Sequence, residues 1–187
     1  MRTALVVLTL VAVGAAWWIA RGAHRPGSAA WRAVDRDLAA RFADVPSVTT
    51  AALADALRGP DPPLLLDART PGEYAVSHLP GACRVDPDAT AAELLSGLDG
   101  DDRRRDVVVY CSVGVRSAGV ARRLRGQGVA AVNLEGSVFR WANEGRALVR
   151  DGRAAETVHP YDAVWGRLLD PDRRAEAGSP HLRDPAE

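Results

Sequence analysis

The feature of this chain best suited to chemistry is a cysteine that ends an apolar run and is followed closely by a glycine and an arginine, VVVYCSVGVRSAGVARRL over 107–124. Six residues, Cys111 to Arg116, can curl into a cradle whose backbone N–H groups point inward at the sulfur. Gly114 permits the tight turn. A helix starting near Arg116 turns its positive end toward the same point, which favours an anion there. Such surroundings lower a thiol pKa from about 8.5 to roughly 3.5–7.5. The thiolate can then attack a sulfur donor, and the persulfide that forms is itself an anion that the cradle can hold. The competing reading is an inert core cysteine at a strand end, a common place for this residue. The loop after Cys111 tips the balance toward chemistry.

Other chemistries find little support. Two cysteines in 187 residues, Cys83 and Cys111, do not make a disulfide framework. His24, His78, His159 and His181 are scattered, and neither cysteine belongs to a C-x-x-C pair, so the four tightly spaced ligands of a structural zinc site are absent. No metal and no cofactor are expected. Every Lys/Arg position is arginine, which removes Schiff-base chemistry. A formal net charge of zero gives no reason to expect a nucleic-acid partner.

The elements that would position Cys111 alternate along the chain. Thr49 to Arg58 has helical spacing and stops at Gly59-Pro60. Leu64 to Leu66 reads as a buried strand. Thr70-Pro71-Gly72-Glu73 and Thr90-Ala91-Ala92-Glu93 have the form of capping boxes, the first with proline at the opening helical position. Ala82 to Val85, Val107 to Tyr110 and Val129 to Leu134 read as strands. Ser117, Val120, Ala121 and Leu124 share one helical face, with Arg122, Arg123 and Arg125 outward. Gly136 to Asn143 reads as a last helix. Strands alternating with helices predict an α/β fold with a central parallel sheet covered on both faces. Ligands on such sheets bind beyond the carboxyl ends of the strands, where Tyr110 delivers Cys111. Cys83 reads as a core residue.

Four regions are expected: an apolar segment at 1–22, a linker and amphipathic helix at 23–45, the domain at 46–150 and an extension at 151–187. Thr3 to Ala20 runs without a charge, and eighteen helical residues reach about 27 Å, close to a bilayer's hydrocarbon thickness. Trp17 and Trp18 suit a membrane interface. A single-pass membrane anchor is favoured over a cleaved signal peptide with export, because Ala20-Arg21-Gly22 fits a cleavage site only loosely. Arg21, Arg25, Arg32 and Arg36 outweigh Arg2, which would keep the domain in the cytoplasm. Trp31, Val34, Leu38 and Phe42 form one face of a helix expected to dock on the domain, in preference to lying on the membrane. Tyr161 and Trp165 suggest a tail that packs back, His159 is read as structural, and disorder is expected from about residue 171.

Three stretches, in order and in register, resemble the rhodanese family, single-domain sulfurtransferases: DARTPGEYAVSHLPGA at 67–82, YCSVGVRS at 110–117 and NLEGSVFRWANEG at 133–145. The resemblance covers 46–150 and departs at Ser77 and Ser137, where the family usually has glycine. It implies a rhodanese-like three-layer fold and sulfur transfer through a persulfide. It makes Cys111 the nucleophile and gives Ser112, Val113, Gly114 and Val115 the amides that hold the sulfur. Arg116 closes the loop and can hold an anionic donor. Asp67 and Arg69 match a supporting pair, as substrate contact or as a salt bridge fastening the loop. His78 matches a structural position. The implied partners are a small anionic sulfur donor such as thiosulfate and an acceptor that is cyanide, a small thiol or a protein thiol. Rival readings are an oxyanion enzyme of the same fold, a phosphatase or arsenate reductase, and a binding module without turnover. Phosphatase-like members need five residues between cysteine and arginine, whereas four, Ser112 to Val115, stand here.

Overall fold

The structure, a computed structural model, describes residues 28–176 apart from Asp99 and Asp101. The Thr3–Ala20 segment lies outside the described residues, so the anchor and its orientation remain expectations. Among the described residues, no helix is long and apolar enough to cross a membrane.

The core is a five-stranded parallel sheet. Its strands are β1 (Ser47–Val48), β2 (Leu64–Asp67), β3 (Cys83–Arg84), β4 (Val107–Tyr110) and β5 (Ala131–Leu134). They lie in the order β1-β5-β4-β2-β3. The register sets Leu66 beside Val109 and Asp67 beside Tyr110. Parallel neighbours need crossovers, and helices supply them: α2 (Thr50–Ala56), α3 (Pro71–Val76), α4 (Ala91–Ser96) and α5 (Val115–Arg125). A sixth helix, α6 (Ser137–Asn143), follows β5, and α1 (Ala29–Arg41) precedes the sheet.

Side-chain alternation along the strands divides the core in two. Leu65 and Val108 face a cluster with Leu53, Val138, Phe139 and Trp141. Leu64, Leu66, Val107 and Val109 face one with Leu94, Val120, Ala121 and Leu124. Both expected capping boxes form. The Thr70 hydroxyl accepts from the Glu73 N–H while the Glu73 carboxylate accepts from the Thr70 N–H, and Thr90 and Glu93 repeat the exchange.

Several boundaries differ from expectation. The strand expected from Val129 starts at Ala131, and the helix expected near Arg116 opens at Val115. β1 has two residues, too few for an alternation to show. Cys83 is exposed, not core, because β3 is a two-residue edge strand with both side chains open to solvent. The chain beyond 150 belongs to the fold. β6 (Leu148–Arg150) and β7 (Arg153–Ala155) form a hairpin, and Val158, Leu168 and Leu169 join the first core cluster. Residues 171–176, expected to be disordered, form a short 3-10 turn and a bridge between Arg174 and Val158. Ala177 onward lies outside the described residues.

Helix α1 docks on the domain. Trp31 is fully buried, the Arg140 guanidinium lies 4.6 Å from its ring centre, and Arg140 donates to the Asp35 carboxylate at 2.9 and 3.0 Å.

Candidate active site

β4 places Cys111 one residue past its carboxyl end, and the next three residues, Ser112 to Gly114, turn directly into α5. Gly114 has φ 115°, a left-handed value, and an added Cβ there would meet Leu38 Cδ1 at 3.0 Å and Asn133 Nδ2 at 3.2 Å. Only a residue without a side chain takes that conformation in that space. The turn lets the Gly114 N–H donate to Cys111 Sγ at 3.2 Å.

The loop is held from behind. The Val138 and Phe139 N–H groups, at the start of α6, donate to the carbonyls of Cys111 and Ser112 at 3.2 Å. Ser137 does more than replace a glycine. Its φ is 51°, and its hydroxyl accepts from the Cys111 N–H at 3.1 Å while donating to Leu134 O at 3.2 Å. Ser77, the other departure, donates to Thr157 O at 2.7 Å and ties the C-terminal extension to the domain.

Cys111 forms part of the wall of a cavity of about 200 Å³ and is itself 1% exposed. Ser112, Val113, Val115 and Arg116 line that cavity with it. Five of the six expected loop residues thus line the cavity; Gly114, the N-cap of α5, does not. Within the loop, the hydrogen bond to sulfur is that of Gly114; the Ser117 hydroxyl, in the first turn of α5, donates to Asn133 Oδ1 at 2.7 Å. Burial pushes the thiol pKa up, but the Arg116 charge and the Ser117 and Gly114 donors outweigh burial, and it lies below the ordinary value.

Arg116 is committed to a protein partner. Its Nη1 and Nη2 donate to the two Glu73 carboxylate oxygens at 2.7 Å, and Nη2 also donates to Ser112 Oγ at 3.0 Å. Ser112 Oγ donates to Glu73 Oε1 at 2.8 Å, closing the network. Burial pushes the Glu73 carboxyl up, yet the Arg116 bonds and charge dominate and bring its pKa to about 2. Glu73 is the site residue that the sequence reading missed. Its capping box accounted for it locally, and no local signal joins it to Arg116.

Asp67 and Arg69 are fully buried and pair through Nε at 2.9 Å and Nη2 at 2.6 Å, and Nη2 also donates to Ser77 O at 2.6 Å. Neither lines the cavity, so they fasten the segment before α3. His78 stacks on Tyr74 with ring centres 3.8 Å apart, its Nδ1 lies 3.2 Å from Tyr74 O, and it takes no part in the cavity. His159 Nδ1 accepts from the Tyr161 N–H at 2.9 Å. Among the described residues, no cluster of His, Cys, Asp and Glu could hold a metal ion.

A parallel sheet that presents a cysteine of lowered pKa in a tight loop at its carboxyl edge defines a class of α/β protein suited to handling anions. The family model for the rhodanese-like domain matches residues 49–144, and the chain belongs to that family. A sulfurtransferase of Allochromatium vinosum is 34% identical over 106 residues, 56% of this chain and 95% of that protein. The thiosulfate:glutathione sulfurtransferase of Saccharomyces cerevisiae is 28% identical over 92 residues, 44% of this chain and 66% of that one. The crystal structure of a rhodanese-like domain protein from Staphylococcus aureus superposes with a TM-score of 0.50 at 32% identity, covering 57% of this chain and 98% of that one. The relatives support sulfur transfer as the general kind of activity.

Proposed function

We propose that this protein moves a sulfane sulfur from a small anionic donor such as thiosulfate to a thiophilic acceptor through a persulfide on Cys111. The observation that carries the reading is the Cys111 sulfur, its pKa lowered by Arg116, Ser117 and Gly114, in the wall of a cavity at the carboxyl edge of the sheet. The thiolate attacks the outer sulfur of thiosulfate. The S–S bond of the donor breaks, sulfite leaves with the electron pair, and the new Cys111 S–S bond leaves a persulfide anion beside the same donors. The acceptor then takes the outer sulfur and returns the thiolate. The lowered pKa raises the share of Cys111 present as the attacking thiolate.

The four-residue loop favours a single sulfur atom over a tetrahedral oxyanion, which sets this reading above a phosphatase or arsenate reductase. Retention of the cysteine sets it above a binding module. The test is turnover of thiosulfate and cyanide by the purified full-length chain. Release of thiocyanate and sulfite is the expected result. No thiocyanate, with hydrolysis of an aryl phosphate or reduction of arsenate instead, overturns the reading.

The Thr3–Ala20 segment supports placement at a membrane, with the domain on the cytoplasmic side. Intact mass of the protein from its native membrane tests this, and a mature chain starting near Ala23 overturns it in favour of export.

A further inference from the structure

The mouth of the Cys111 cavity is built by segments outside the family match at 49–144. Asp37 and Arg41 of α1 stand on its rim, paired with each other at 3.1 Å, and Tyr161 and Trp165 of the C-terminal extension complete its lining. Tyr161 has φ 66°, a left-handed value that is a genuine outlier for a bulky side chain. Its neighbours hold it there: the Tyr161 N–H donates to His159 Nδ1, and the Asp162 carboxylate accepts from the Val164 and Trp165 N–H groups at 2.8 and 2.7 Å. The residue stays 48% exposed, so core burial does not explain the strain. What the ring does is stand beside the site, its centre 4.9 Å from the Arg116 guanidinium carbon. Strain maintained by surrounding bonds next to a reactive group points to function.

We propose that Tyr161 and Trp165 are specificity-determining residues that select a small organic thiol with an apolar group as the acceptor of sulfur from Cys111. The inference rests on the sulfurtransferase reading above. Cys111 is 1% exposed, so the acceptor has to enter the cavity. A volume of about 200 Å³ lies below the ~300 Å³ of a drug-sized pocket and several times above the ~30 Å³ share of a water molecule. It fits a thiol of a few heavy atoms, whereas a thiol on a broad protein surface meets α1 and the 161–165 segment first. The acceptor thiol gives its proton to the persulfide anion of Cys111 and, as the thiolate, attacks the outer sulfur. The bond between Cys111 Sγ and that sulfur breaks, the acceptor leaves as its own persulfide, and the electron pair returns to Sγ. An apolar group on the acceptor loses water against the two aromatic faces. Cyanide has no such group to bury.

The full-length chain, charged with thiosulfate, is discharged to benzyl mercaptan or to cyanide, and the ratio of kcat/KM for the two acceptors is read. Tyr161→Ala and Trp165→Ala should each lower that ratio roughly tenfold or more, mainly through a higher KM for benzyl mercaptan. Tyr161→Phe should restore it. A ratio unmoved in both alanine variants overturns the inference, as does faster discharge of the wild-type protein to a cysteine-containing hexapeptide than to benzyl mercaptan. Those results leave the sulfurtransferase reading standing. Absence of any persulfide on Cys111 overturns that reading, and this inference with it.

Discussion

Glu73 and Arg116, 43 residues apart in sequence, meet in a two-pronged ion pair with both N···O distances at 2.7 Å. One residue caps the helix before the edge strand and the other opens the helix after Cys111. The pair therefore locks the nucleophile loop to the opposite side of the site. Arg116 acts on the sulfur through its charge while its hydrogen-bonding face is spent mainly on protein.

That pairing makes stability depend on acid pH. The Glu73 carboxyl titrates at about 2 in the folded chain against an ordinary value of 4.5. A depressed folded pKa contributes stability that is present above about pH 4.5 and is lost as pH falls toward 2. The full difference is on the order of 3 kcal/mol. Denaturant midpoints measured from pH 6 down to pH 2.5 should fall through this window, and the Glu73→Gln variant should start lower and lose less of its stability across it.

Arg116→Ala should raise the Cys111 pKa, because burial still opposes the thiolate and the charge that offset it is gone. In a Cys83→Ser background, the rate of alkylation by iodoacetamide against pH reports the thiol directly. Its midpoint should lie below the ordinary thiol value in the parent and move upward in the Arg116 variant. The same substitution leaves Glu73 buried without its partner, so a loss of about 3–5 kcal/mol in stability should accompany it.

Incubation with thiosulfate should add the mass of one sulfur atom to the protein, and a thiol reductant should remove it. Cys111→Ser should abolish the adduct and turnover, since a hydroxyl cannot form a persulfide. Cys83→Ser should keep both and cost little stability, because Cys83 is exposed. Peptide mapping of the adduct checks the site, and mapping to Cys83 would sink the assignment.

Ser137 offers a finer test. Ser137→Ala keeps a side chain at φ 51° and removes the acceptor of the buried Cys111 N–H, so it should cost about 1–3 kcal/mol and slow sulfur transfer. Ser137→Gly loses the same bond but relieves the left-handed backbone, and should be the more stable of the two by thermal unfolding.

The elements and the nucleophile were legible in the sequence because their signals are local. An apolar run of four β-branched or aromatic residues, two Thr-to-Glu capping boxes and a cysteine separated from an arginine by four residues each report on their own few residues. Those local signals determined an alternating α/β chain with Cys111 at a strand end. Tertiary structure decided what no local pattern holds. Sheet order leaves β3 at an edge, and so Cys83, apolar by type, is exposed. The crossovers bring Glu73 to Arg116, and the packing of α6 brings the Ser137 hydroxyl under Cys111. The docking of α1 and the 161–165 segment closes a cavity from pieces more than a hundred residues apart. The physical reason is that capping and periodicity cost and gain free energy within one or two turns, whereas these contacts exist only once the sheet register has set distant segments side by side.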